Sequence, residues 1–256
     1  MIPRNDELKS PLKRPNRRRP GQSLDDEIRV VRDKFFSEGV VPAIVAVILT
    51  VFEWLRWSLG APPNPTLYGV IALIVLCWTA SRYKQSKEKI RRLTLGRDGE
   101  QAVGQALDVL RPDGYVVFHD IQGENWNIDH VLVGPSGVYT IETKTLMKPK
   151  RGDAKIHYRG TSLSNNTKDL SEHLIQAKAQ SKTIKNILDE YAYGDYPVHP
   201  VILFPGWYIE NTADSHGDVW VLEPKAFLKW VRNAQPKLSE QSRKNIKQVL
   251  DIRNAS

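Results

Sequence analysis

The stretch Asn127-Ile128-Asp129-His130-Val131-Leu132-Val133-Gly134-Pro135-Ser136-Gly137-Val138-Tyr139-Thr140-Ile141-Glu142-Thr143-Lys144 decides the fold. Two runs rich in β-branched residues, Ile128–Val133 and Val138–Thr143, flank Gly134-Pro135-Ser136-Gly137, the pattern of a hairpin. With the turn centred between Pro135 and Ser136, opposed residues have numbers that add to 271. Asp129 then faces Glu142, and Lys144 falls opposite Asn127 on the same face by the two-residue period. A one-residue slip would put the two acids on opposite faces.

Like charges directly opposed in a sheet are destabilising, with side-chain origins only about 4.5–5.5 Å apart. A divalent cation removes the conflict. Mg²⁺ takes oxygen ligands and is commonly held by one or two carboxylates plus substrate phosphate. It can lower the pKa of water and neutralise charge on a phosphate. A nearby ammonium such as Lys144 can orient that water or stabilise an anionic transition state. The bland alternative is a solvated strand face with a Glu142–Lys144 pair.

Outward from the hairpin, the chain from Leu93 reads as an α/β domain. A helix is expected over about 94–110 and strands over Tyr115–Ile121, Ile128–Val133 and Val138–Thr143. A short edge strand follows over Lys155–Tyr158, then a long helix over about 168–191. Strands over Val198–Phe204 and Val219–Leu222 precede helices near 224–233 and 238–252. Glu100 shares a helical stripe with Val103 and Leu107, so it points toward the sheet, where a carboxylate is costly without a partner. Its alternative role is a first-turn acid favoured by the helix dipole. Gln176 lies on the flank of the long helix, with Gln180 one turn later. His130 points to the face opposite Asp129 and reads as packing. The other histidines show no metal-ligand spacing. Lys148-Pro149-Lys150-Arg151 is either a solvated loop or a grip on a phosphate backbone. Trp126 and Trp207 read as packing residues, with base stacking as the functional alternative.

Charge divides the 256 residues in two. Residues 1–92 hold 17 Lys and Arg against 9 Asp and Glu, whereas residues 93–256 hold 20 of each. The whole surplus of +8 therefore belongs to the first third, and a basic pI says nothing about nucleic acid for the remainder. The single Cys77 excludes an intrachain disulfide and a Cys-rich zinc site. Residues 1–22 lack apolar periodicity and read as a disordered basic tail, with a short charged helix over 24–38. Two apolar stretches, from Val40 through Trp57 and from about Leu67 to Ala80, are separated by Gly60-Ala61-Pro62-Pro63-Asn64-Pro65. Each reaches the roughly 17–25 residues of a spanning helix by borrowing polar residues at its end, Glu53 and Arg56 in the first. Ten Lys or Arg precede the first stretch, six follow the second over 82–92, and the turn holds none. The positive-inside rule then places both ends and the C-terminal domain in the cytoplasm of a multi-pass cell-membrane protein. A soluble hairpin buried in a core is the alternative, against which both segments are apolar on all sides rather than striped.

Three pieces in order, Leu95-Gly96-Arg97-Asp98-Gly99-Glu100, then Ile128–Lys144, then Gln176-Ala177, resemble the nuclease-related domain (NERD) family, a branch of the PD-(D/E)xK superfamily. The resemblance covers roughly residues 93–205. It implies a restriction-endonuclease-like mixed sheet flanked by helices, here preceded by two transmembrane helices. It further implies that Asp129 and Glu142 bind Mg²⁺ or Mn²⁺, that Lys144 is the catalytic lysine, that Glu100 is the helix acid and that Gln176 supports the site or contacts substrate. Ile128 stands where the superfamily has proline, which leaves the aspartate ligand in place.

The expected organisation is a largely disordered basic tail over 1–39, a transmembrane hairpin over 40–83 and a nuclease-related domain over 93–256. The expected function is a membrane-anchored, metal-dependent nuclease acting on nucleic acid, DNA first. The alternative is a catalytically inactive nuclease-fold module that binds nucleic acid or a protein partner at the membrane. A third expectation is a membrane subunit of a larger assembly or a homo-oligomer, with the hairpin as the contact surface.

Overall fold

The computed structural model describes residues 18–60, 65–149, 153–192, 194–212 and 217–253. The described residues divide into two compact units, one of Gln22–Asp98 and one of residues 18–21 and 99–253. The tail before residue 18, most of the Gly60–Thr66 turn and the Lys150-Arg151 part of the basic loop lie outside the described residues.

The first unit is built from helices. α1 (Gln22–Phe35) passes through a π-helical turn, Phe36–Val40, into α2 (Val41–Ser58). α3 runs from Pro65 to Asp108. The helix expected at 94–110 is thus the far end of the helix that begins in the second apolar stretch. The joining residues 81–95 are mostly Lys, Arg, Gln, Glu and Leu, good helix formers with no proline to interrupt them. Both apolar helices are long and apolar enough to cross a membrane.

Their packing is inside out. The buried residues of the paired segments are Ala43, Ala46, Glu53 and Ala72, whereas Ile44, Ile48, Leu49, Phe52, Leu73 and Ile74 are exposed. Small residues let the helix backbones approach. The hydroxyls of Thr50 and Thr79 donate within their own helices, to Ala46 O at 2.9 Å and Val75 O at 2.8 Å, and lie 3.3 and 3.2 Å from Tyr68 O and Gly39 O across the pair. Glu53 Oε2 accepts from Arg56 Nη1 at 3.4 Å, the i,i+3 pair that the spacing suggests. Ion pairs Arg82–Glu38, Lys89–Glu27 and Arg97–Asp25 link the charged arms beyond the apolar part.

The second unit holds a five-stranded mixed sheet of order β1-β2-β3-β6-β8, from β1 (Val116–Gln122), β2 (Asn127–Gly134), β3 (Gly137–Thr143), β6 (Val198–Leu203) and β8 (Trp220–Leu222). β1, β2 and β3 are antiparallel neighbours, and β3, β6 and β8 run parallel. The hairpin register is the expected one, from Gly134↔Gly137 to His130↔Ile141. Gly134 is required there, because a Cβ would lie 1.9 Å from the Tyr115 ring. Gly137 has φ +147°, which favours glycine.

One core, with Val131, Val133, Ile184, Leu188 and Ile246, packs α4 (Glu172–Tyr191) and α6 (Glu240–Arg253) on one sheet face. The other, with Val103, Leu107, Leu132, Ile141 and Phe227, packs α5 (Pro224–Asn233) and the end of α3 on the opposite face. Lys155–Tyr158 (β4) is not an edge strand of this sheet. It is the centre of a second, three-stranded sheet with β5 (Leu163–Asn165) and β7 (Tyr208–Asn211), two strands the sequence pattern does not announce. Ile156, Tyr158 and Leu163 form a third core under that sheet.

Candidate active site

Glu142 lies near the carboxyl end of β3, 4% exposed, on the face covered by α4. Its carboxylate is fully engaged. Gln176 Nε2 donates to Oε1 at 2.8 Å, and Gln180 Nε2 donates to Oε2. Lys144 Nζ lies 2.6 Å from Oε1 and donates to Gln176 Oε1 at 3.1 Å. Gln176 and Gln180 are four residues apart, so both amides project from one stripe of α4. Gln180 also donates to Asn127 O at 3.0 Å, tying the helix to the start of β2.

Asp129 does not occupy a ladder rung opposite Glu142. The β2–β3 pairing ends at His130↔Ile141, and Asp129 Oδ2 accepts the backbone N–H of Thr143 at 2.7 Å. The cause is visible on the other side of β2. The β1–β2 ladder runs from Val116↔Val133 to His119↔His130 and resumes at Ile121↔Ile128, omitting the rung of Asp120 and Asp129. Asp120 has φ +51°. Phe118 and Ile121 share one core although they are three residues apart, as do Ile128 and Val131. Alternation therefore breaks in both strands at this rung, which turns Asp129 out of the regular pleat. Aspartate is among the residues that tolerate a left-handed backbone.

Glu100 reaches the cluster from α3. A Cβ on the preceding Gly99 would lie 1.6 Å from Thr145 Oγ1, so glycine lets the helix lie directly against the segment that leaves β3. Glu100 is 7% exposed, and its Oε2 is buried with no hydrogen-bond partner among the described residues. Burial, then the charges of Asp120 and Glu142, push its carboxyl up to about 7. Asp129 is likewise raised well above the usual carboxylate range, by burial and then by Glu142 and Glu100.

The structure thus brings together all five residues singled out in the sequence: Glu100, Asp129, Glu142, Lys144 and Gln176. It adds two. Asp120 is fully buried, and Arg18 Nε lies 2.6 Å from its Oδ2. A strand aspartate in an otherwise apolar run is its only sequence signal. Gln180 is visible only as the residue one turn beyond Gln176. His130 is fully buried, with its Nδ1 3.0 Å from that of His119, and burial and then His119 hold it well below the ordinary imidazole range. Trp207 is a packing residue whose Nε1 donates to Leu146 O at 3.2 Å.

Among the described residues, no three His, Cys, Asp or Glu side chains form a ready-made metal centre. Glu100, Asp129 and Glu142 offer carboxylate oxygens, the donor type that a hard divalent cation takes. Carboxylates that repel one another in a buried site, one with an orphaned oxygen, are the groups a hard cation neutralises.

A mixed α/β sheet thus carries clustered acids and a lysine two residues past one of them. Residues 95–205 match the model of the nuclease-related domain family, NERD. An uncharacterized protein of Bacillus anthracis is 35% identical over 54 residues, which cover 19% of this chain and 26% of that protein. The chain thus spans about a quarter of the length of that relative. No solved structure matches the chain.

Proposed function

We propose that the chain is a membrane-anchored nuclease that uses a divalent cation, Mg²⁺ or Mn²⁺, to hydrolyse phosphodiester bonds in nucleic acid at the cytoplasmic face. The observation that carries this reading is the Asp129–Glu142–Lys144 cluster braced by Gln176 and Gln180. DNA is the substrate to test first. Asp129 and Glu142 would hold the cation, with Glu100 behind them. A bound cation supplies charge neutralisation for the phosphodiester and activation of water.

The chain's own residues do the rest. The ammonium of Lys144 is kept beside Glu142 by Gln176, placed to donate to oxygen as negative charge builds in the transition state. Gln180 fixes the Glu142 carboxylate, which limits the reorganisation needed at the moment of reaction. The Thr143 N–H holds Asp129 in one orientation.

Anchoring is supported by the exposed apolar residues of the hairpin and by basic flanks on both sides of a turn without Lys or Arg. One observation favours the second reading, a binding module without catalysis: both Glu142 oxygens already carry donors.

The test is cleavage of linear and circular DNA, and of RNA, by the full chain with Mg²⁺ or Mn²⁺, beside Lys144→Ala and Asp129→Ala. Loss of one transition-state donor costs about 10²–10³ in rate. Equal cleavage by all three proteins would mean a contaminant and would overturn the enzymatic reading. Binding without metal-dependent cleavage would favour the module.

A further inference from the structure

The helical unit carries two concavities that meet at one level. The first, of about 210 Å³, is lined by Lys34, Phe35, Glu38, Arg82, Gln85 and Lys89 among others. The second, of about 270 Å³, is lined by Val40, Ala43, Val47, Ile48, Leu76 and Thr79 among others. Gly39 lines the first and Val40 the second; on α3, Arg82 lines the first and Thr79, one turn earlier, the second. The residues that line the two are thus neighbours along both helices.

Their chemistry differs sharply. The first presents three cations against the single carboxylate of Glu38. The Arg82–Glu38 contact is loose at 3.6 Å and half exposed, so it holds Arg82 weakly. Lys34 has no ion pair among the described residues, and Lys89 shares its charge with Glu27 at 2.9 Å. The second concavity is apolar apart from one threonine. The π-helical turn Phe36–Val40 sits at the junction, a local widening of the kind that often marks functional sites. Arg82 lies 5.8 Å from the centre of the Trp78 ring, an aromatic position suited to a membrane interface.

We propose that this groove binds one anionic phospholipid, its phosphate headgroup held by Lys34, Arg82 and Lys89 and an acyl chain lying along Val40, Val47 and Leu76. The charge excess selects an anionic over a zwitterionic headgroup, and the apolar continuation selects a lipid over free phosphate. Basic pockets between helices on the cytoplasmic side are established places for anionic headgroups. The proposal rests on the membrane reading of the hairpin.

The experiment uses the full chain in mild detergent, incubated with equal amounts of dioleoylphosphatidylglycerol and dioleoylphosphatidylcholine. Lipid retained through gel filtration is then counted per chain. About one phosphatidylglycerol is expected to remain, in preference to phosphatidylcholine. Lys34→Gln with Arg82→Gln should weaken retention roughly thirtyfold. Lys84→Gln with Lys87→Gln, outside the concavity, should leave it unchanged. Equal retention of both lipids by the unaltered chain, an equal effect of the two double variants, or full displacement by 10 mM inorganic phosphate would overturn the proposal. The first comparison needs no variant, so misfolding of a variant does not blunt it. A chain that enters bilayers without preferring either lipid defeats this inference alone. A chain that stays monodisperse without detergent defeats the membrane reading itself.

Discussion

Glu100 is a buried carboxylate with one oxygen orphaned and like charges on two sides. Burial, then the charges of Asp120 and Glu142, push its carboxyl from an ordinary 4.5 up to about 7. The sign follows. Below the unfolded value both states are protonated and folding carries no penalty from this group. As pH rises through the window from 4.5 to 7, the unfolded chain ionises first and the folded state falls behind. The group should therefore cost about 3 kcal/mol of stability at pH 8 relative to pH 4.5. Thermal melting in mild detergent with a chelator should give a lower midpoint at pH 8 than at pH 5. Glu100→Gln should narrow that gap, and Mg²⁺ should raise the midpoint more at pH 8. An unchanged gap in Glu100→Gln would show that other groups set it. At this scale the sequence was informative where register alone decides. The face of Glu142 follows from the position of one turn, whereas the direct opposition of Asp129 to Glu142 expected from it does not form, because the pairing stops at His130↔Ile141. Nor does the place of Asp120 follow, because the break in alternation at its rung is made by two strands together and leaves no periodic trace in either one.

The elements show the same division. The hairpin and the long helices are legible because their apolar patterns extend over many residues. β5 and β7 have three and four residues, too few for a period to emerge, and they exist only because β4 lies between them. The length of α3 was hidden for a different reason. An apolar segment and an amphipathic one look like two elements when read by composition, although nothing between them stops a helix. Gly99 is the pivot of the α3 contribution to the site. Gly99→Ala would drive a methyl group into Thr145 and should destabilise the domain by about 1–3 kcal/mol, with cleavage activity falling alongside. Thr145→Gly in the same chain should recover much of both. Melting and activity of the double variant check this, and failure to recover would place the role of Gly99 elsewhere.

At the scale of the whole molecule, the two units obey opposite rules of burial. The second hides Phe118, Tyr139, Phe204 and Phe227 completely. The first hides alanines and a glutamate while presenting isoleucine, leucine and phenylalanine outward. Composition averaged over the chain concealed this contrast, and segment-by-segment charge and hydropathy revealed it. Cys77 belongs to the outward-facing set, exposed on α3 within the second apolar stretch, three residues before its end. Because the chain has no other thiol, nature has already installed a unique attachment point for a nitroxide. In reconstituted vesicles such a probe should collide more often with dissolved oxygen, which concentrates among hydrocarbon tails, than with a water-borne nickel chelate. The reverse ratio in a continuous-wave resonance measurement would put that position in an aqueous phase, and no mutagenesis is needed to obtain the answer.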